Sequence, residues 1–131
     1  MNALMALAVV LGGAVGAPLR YLVEVGISRF QQPSPTDKHP FLHALPWGLF
    51  VVNAVGSLMV GLLAGVTDGP MRVFLLSGIC GSLTTYSGYA YAVHRAWRVN
   101  RAAALVAWTF MPLIGIGLCA VGYEVAGSMT N

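Results

Sequence analysis

Gly78-Ile-Cys-Gly81-Ser-Leu-Thr84-Thr85-Tyr86-Ser87-Gly88-Tyr89 is the stretch on which the reading of this 131-residue chain turns. It lies within a run from about Met71 to Val93 that is long enough to cross a bilayer, yet its centre is unlike a lipid-facing helix. Gly78 and Gly81 weaken the helix at mid-membrane, and three hydroxyls and two tyrosines follow at once. A helix broken at that depth exposes unpaired carbonyls and supplies hydroxyls, a combination that solvates an ion. Two glycines alone would serve close helix packing equally well; the hydroxyls and aromatics beside them favour the functional reading.

Working outward, the rest of the chain is also apolar. Hydrophobic residues make up 57% and charged residues 8%, and the mean hydropathy of +0.75 is spread along the whole length. So few charges would not wet a soluble globule of this size, which excludes a water-soluble enzyme. At about 20 residues per span, four spans use about 80 residues and leave no room for an extramembrane domain. The expectation is a single all-α membrane domain over residues 1–131, with four transmembrane helices at about 3–28, 47–66, 71–93 and 102–125, the third broken. Span four is interrupted by Pro112, Gly115 and Gly117.

The first span lacks the basic residue that precedes a secretory apolar core, and Gly12, Gly13 and Gly16 read as a helix-packing face rather than a cleaved leader. Those glycines follow no strand, so they do not make a dinucleotide fingerprint. Gly61 and Gly65 form a close-packing pair in span two. The turn Thr67-Asp68-Gly69-Pro70 ends it. Between Phe30 and Pro46 four prolines make an irregular connection; His39 and His43 are four apart, a metal-ligand spacing on a helix, but the prolines argue for a solvated loop. Cys80 and Cys119 lie in apolar runs and read as packing residues.

Polar groups at membrane depth are costly unless paired, and they usually face a bundle interior or a water-filled path. Asn53 is the most polar group of span two. It serves either as hydrogen-bonding glue between helices or as a donor to a passing ion. Tyr86 and Tyr89, three apart, share a face if the helix resumes there. Their electropositive ring edges and hydroxyl donors suit a small dehydrated anion better than a cation. If ring edges matter more than hydroxyls, phenylalanine in place of either tyrosine preserves or raises conduction. Tyr91 reads as part of an interfacial belt. Arg20 brings a positive charge near the end of span one, with Glu24 one turn further on as its natural partner.

Three segments together resemble the signature stretches of the CrcB/Fluc family of fluoride channels. They are Gly12-Gly-Ala-Val-Gly16-Ala-Pro-Leu-Arg20-Tyr21, Val52-Asn53-Ala-Val-Gly56-Ser57 with Gly61, and the stretch from Gly78 to Tyr89. The resemblance implies an antiparallel dimer of four-helix subunits with two narrow pores that release fluoride passively from the cell. It also implies a structural sodium ion at the dimer centre, held by main-chain oxygens of Gly81 and Thr84. Asn53 then matches the pore asparagine and Arg20 the arginine of the first span. Thr85 and Ser87 join Tyr86 and Tyr89 along the fluoride path. Both tyrosines stand where the family typically has phenylalanine, and Gly88 where it has threonine. On span four the polar track is thin, with Thr109 its one good member.

Two other readings remain open from the residues. A small multidrug exporter also has four short spans in an antiparallel dimer, and Glu24 would be its proton carrier. A non-transporting scaffold subunit would use the glycines for packing and Asn53 as glue. The expected partners are membrane lipid, fluoride and a second subunit in antiparallel orientation; no nucleic acid is expected. Arg29, Lys38, Arg95, Arg98 and Arg101 fall on the side of the two longer loops and Arg72 alone on the side of the termini. The positive-inside rule therefore places both termini of this multi-pass plasma-membrane protein outside. With so strong a bias, the antiparallel partner is either an inverted identical copy or a paralogous chain of opposite bias.

Overall fold

The computed structural model describes residues 3–30 and 40–130. The described residues are helical with no strand: α1 (Ala3–Phe30), α2 (Pro40–Ala44), α3 (Trp47–Val66), α4 (Gly69–Arg72), a π-helical segment Val73–Cys80, α5 (Gly81–Leu83), α6 (Tyr86–Val99) and α7 (Arg101–Thr130). Of these, α1, α3 and α7 are long and apolar enough to cross a membrane. His39, one half of the His39/His43 pair, lies outside the described residues. The connection ahead of span two is not wholly irregular, since it ends in the short helix α2.

The outside of this molecule is apolar. Leu7, Val10, Leu22, Leu113 and Ile116 are each more than half exposed, and no polar or charged residue is buried among those described. That is the reverse of a water-soluble fold and suits a chain whose surroundings are lipid or another protein. The small core joins Leu49 and Val52 of α3, Leu83, Tyr89 of α6, and Ala107 and Met111 of α7.

Backbone proximity through glycine, rather than interlocking of large side chains, sets the helix arrangement. A Cβ on Gly12 would lie 2.5 Å from the Phe74 carbonyl oxygen and 2.7 Å from the Gly78 Cα, and one on Gly16 would collide with Ser82 and Ile79. These pairs advance together along both segments, so α1 runs parallel to residues 74–82. On the other side, Gly61 abuts the Cys119 carbonyl, Gly65 abuts Ala126, and a Cβ on Gly122 would lie 2.6 Å from the Leu58 carbonyl oxygen. α3 and α7 therefore also run parallel, and they form the most extensive pairing in the molecule. Small residues that let backbones meet are what helix association in a bilayer requires, where no hydrophobic gain separates lipid from protein. Gly13 has nothing near its Cβ direction, so of the three glycines only Gly12 and Gly16 belong to the packing face of α1.

Two local expectations are revised. Pro112 does not interrupt α7, which is continuous from Arg101 to Thr130. Between Met71 and Val93, helical geometry stops not at Gly78 or Gly81 but at Thr84 (φ −81°, ψ 153°) and Thr85 (φ −151°, ψ 123°), both extended. Gly78 instead receives Gly12 of α1, the close-packing use of a membrane glycine.

Candidate functional site

The extended pair Thr84-Thr85 strands backbone groups in an apolar setting, and side chains around it take up those of Thr85 and Gly88. Asn53 lies opposite on α3. Its Oδ1 accepts from the Thr85 N–H at 2.9 Å, and its Nδ2 donates to the Thr85 carbonyl at 3.4 Å. One amide thus substitutes for a neighbouring backbone. One turn along α3, Gly56 makes room for the Thr84 methyl group, which any Cβ there would overlap. Asn53 and Gly56 together allow the interrupted segment to lie against α3.

Thr85 then starts the next helix. Its hydroxyl accepts from the Gly88 N–H at 3.1 Å, an N-cap bond, and shares a further hydrogen bond of 3.1 Å with the Ser87 hydroxyl. A Cβ on Gly88 would come 2.7 Å from the Thr85 methyl carbon, so glycine at 88 is matched to this cap. The Thr84 hydroxyl turns back to the Cys80 carbonyl at 3.0 Å.

The interruption takes the ordinary helical donors from the carbonyls of residues 81 to 84, and at Gly81 and Thr84 those donors are seen on side chains instead. Gly81 would pair with the N–H of residue 85, which is given to Asn53; Thr84 would pair with the N–H of residue 88, which is given to the Thr85 hydroxyl. Gly81 is itself exposed.

Beside the break, a groove of about 420 Å³ runs between α3, α6 and α7, with Asn53, Ser57, Thr85, Tyr86, Tyr89 and Pro112 among its walls. Tyr86 is 82% exposed and leaves it open on one side. The two tyrosine rings lie 5.7 Å apart, tilted by 45°. They differ in their hydroxyls. Tyr89 donates to the Trp108 carbonyl at 2.6 Å, whereas Tyr86 has no hydrogen-bond partner among the described residues. The aromatic reading of residue 89 therefore needs a second role, because its hydroxyl is committed to α7.

The structure brings Asn53, Thr84, Thr85, Tyr86 and Tyr89 to one groove and leaves other expected residues outside it. Ser87 reaches it only through Thr85. Arg20 is not a groove residue; its Nε lies 3.8 Å from Glu24 Oε1, the pairing its spacing suggests. Thr109 is exposed and donates to the Leu105 carbonyl of its own helix at 2.8 Å. What α7 contributes to the walls is Met111, Pro112, Gly115, Ile116 and Cys119, and its Trp108 carbonyl holds the Tyr89 hydroxyl. Ser57, not singled out from sequence, also faces the groove. Its signal was present: it follows Asn53 by four residues and so shares its helix face.

Among the described residues, no group of three or more His, Cys, Asp or Glu side chains is placed to hold a metal. The oxygens near the break are hydroxyls and carbonyls, which suit a hard monovalent cation better than a transition metal.

Over residues 7–123 the chain matches the family model described as CrcB-like protein, Camphor Resistance (CrcB). It is 33% identical over 127 residues to the fluoride-specific ion channel FluC 1 of Nitrobacter hamburgensis, covering 92% of this chain and 90% of that protein. It is also 32% identical over 131 residues to a fluoride-specific ion channel FluC of Thermus thermophilus, covering 95% and 97% of the two chains. A match this long, spanning α1 to α7 and including every groove residue, makes this multi-pass membrane protein a member of the CrcB family, and not an enzyme.

Proposed function

We propose that this chain is one subunit of a fluoride-selective channel that lowers cytoplasmic fluoride by passive efflux, and that fluoride passes along the groove beside Asn53. The observation that carries this reading is the state of the donors there. Asn53 uses its Oδ1 and, over a long 3.4 Å, one N–H on Thr85, which leaves the second amide N–H free for an anion. The Tyr86 hydroxyl is free and the Tyr86 and Tyr89 ring edges are adjacent. Dehydrating a small anion into a low-dielectric medium costs on the order of 20 kcal/mol by an idealised Born estimate, so a conducting path needs such donors and ring edges in series. Asn53, Tyr86 and Tyr89 face the ion directly, Thr85 and Ser87 hold the break, and Arg20 contributes field from outside the groove.

The segment from Gly69 to Val99 is the third of four spans, broken at Thr84-Thr85. An antiparallel second subunit closes the groove along exposed Tyr86 and covers exposed Gly81. The Gly81 and Thr84 carbonyls of two subunits would hold a sodium ion, and the loss of their ordinary donors supports that assignment. When bound, sodium supplies a central positive charge that ties four carbonyls together. The basic residues support termini on the outer face: α1 ends where α3 and α7 begin, and Arg29, Arg95, Arg98 and Arg101 gather at that end.

The exporter reading loses support because Glu24 is paired with Arg20 away from the groove. The test is anion release from liposomes containing the purified protein. Fluoride efflux without chloride efflux is expected; proton-coupled uptake of a cationic drug with no fluoride efflux would favour an exporter, and absence of both a scaffold.

A further inference from the structure

Hydroxyls inside membrane helices ordinarily satisfy themselves on their own backbone. This molecule follows that habit: Ser28, Thr67, Ser82, Thr84, Thr109 and Ser128 each donate to a carbonyl three or four residues back, at 2.6 to 3.0 Å. Ser57 does not. It sits in the middle of α3, half-buried in the groove wall, with no hydrogen-bond partner among the described residues. Ser77, which also makes none, is exposed and lines no part of the groove.

Space has been left for the Ser57 hydroxyl. Across the groove stands Gly115 of α7, where an added Cβ would come 3.2 Å from Ser57 Oγ, closer than ordinary contact. Other groove hydroxyls already have partners: Thr84 donates to the Cys80 carbonyl, Tyr89 donates to the Trp108 carbonyl, and Thr85 shares a hydrogen bond with Ser87. The donors left free are Tyr86 near the open side, one Asn53 N–H, and Ser57 one helical turn deeper than Asn53. A free hydroxyl in an apolar setting lowers the energy of whatever acceptor reaches it, and fluoride is a strong acceptor.

We propose that Ser57 is a fluoride-contacting residue of the pathway, the donor that receives the ion after Asn53 at the point where α7 offers only Gly115. This assignment rests on the fluoride-channel reading above and adds a specific ligand to it. It also explains the absence of a side chain at 115, because a single hydroxyl from α3 serves both walls at their closest approach.

Fluoride efflux from liposomes, followed with a fluoride electrode, tests it with three proteins: the parent, Ser57→Ala, and Ser57→Ala combined with Gly115→Ser. The double variant moves the hydroxyl across the groove from α3 to α7. The expected result is a loss of about tenfold or more for Ser57→Ala with a parental gel-filtration profile, and recovery of most of the flux in the double variant. Equal flux in parent and Ser57→Ala would overturn the assignment while leaving the channel reading intact. So would a loss that Gly115→Ser does not recover, or one accompanied by a collapsed elution profile, either of which makes Ser57 a packing residue. A parent protein that releases no fluoride would remove the channel reading and this assignment together.

Discussion

The Tyr89 hydroxyl donates to the Trp108 carbonyl at 2.6 Å. In an uninterrupted helix that carbonyl would accept from the N–H of residue 112, and residue 112 is proline. The tyrosine therefore supplies to α7 the hydrogen bond that Pro112 removes. The same bond fixes the Tyr89 ring in the groove beside Tyr86. A phenylalanine at 89 would present a similar ring edge but leave the carbonyl bare.

Tyr89→Phe is thus expected to cost about 1–3 kcal/mol of stability, the penalty of an unpaired buried acceptor. In a Pro112→Ala background the new N–H reaches the Trp108 carbonyl, and the same substitution should cost little. Tyr86→Phe, whose hydroxyl has no partner to lose, should leave stability unchanged. Thermal unfolding in detergent measures all of these. An equal cost for Tyr89→Phe in both backgrounds would show that Pro112 and Tyr89 are not linked.

Asn53 has two separable duties, holding Thr85 and offering a donor. Asn53→Ala removes both and leaves the Thr85 N–H and carbonyl unpaired, so fluoride efflux is expected to be lost together with about 1–3 kcal/mol of stability. Asn53→Asp keeps an acceptor for the Thr85 N–H but puts an acid on the proposed route of the anion. It should lose efflux while retaining more stability than the alanine variant. If Asn53→Ala releases fluoride as fast as the parent, the groove is not the path.

Glycines that look alike in the sequence should respond in opposite ways. Gly61→Ala and Gly122→Ala push a methyl group into the facing backbone of the α3–α7 pair and are expected to destabilise by about 1–3 kcal/mol. Gly13→Ala and Gly117→Ala meet nothing within 4 Å. They should be neutral or stabilising by up to about 1 kcal/mol, because alanine is the better helix former. The four melting temperatures decide the matter; uniform losses would mean that Gly13 and Gly117 are covered as well.

Membrane class, the packing role of Gly12, Gly16, Gly61 and Gly65, and the Arg20–Glu24 pair were all legible from spacing, because each depends on local helix geometry or composition. So was the concentration of polar groups around Asn53 and the Thr84-Thr85 stretch. The exact place of the interruption was not. Glycine composition pointed to Gly78 and Gly81, but the helix opens where a tertiary contact is available, since Asn53 reaches the freed N–H and carbonyl of Thr85. Pro112 misled as well, because a long helix can run through a proline, as α1 does at Pro18; the orphaned Trp108 carbonyl can be foreseen from the i−4 rule, but its pairing with a tyrosine nineteen residues earlier cannot. Thr109 looked like the polar contribution of α7 because residue type is visible in a sequence and helix face against a partner is not.

Sodium removal tests the proposed use of the Gly81 and Thr84 carbonyls. Two subunits' carbonyls brought close together repel one another unless a cation lies between them. Exchange into a sodium-free N-methylglucamine buffer is therefore expected to lower the unfolding temperature of the assembled protein, and added sodium to restore it. Indifference to sodium would count against a central site.

The charge distribution bears on what the second subunit is. Five basic residues fall on the side of the longer loops and Arg72 alone on the other, so insertion should run mainly one way, with both termini outside. An antiparallel partner of identical sequence would have to insert against that bias; a paralogous chain with the opposite bias would not. With Cys80 and Cys119 replaced by serine, reporter cysteines at Asn2 and Pro35 can be labelled with an impermeant reagent in intact and opened cells. The expected pattern is Asn2→Cys labelled from outside and Pro35→Cys only after the cytoplasm is exposed. Comparable labelling of both from the same side would mean mixed insertion, and then a second copy of this chain suffices as the partner.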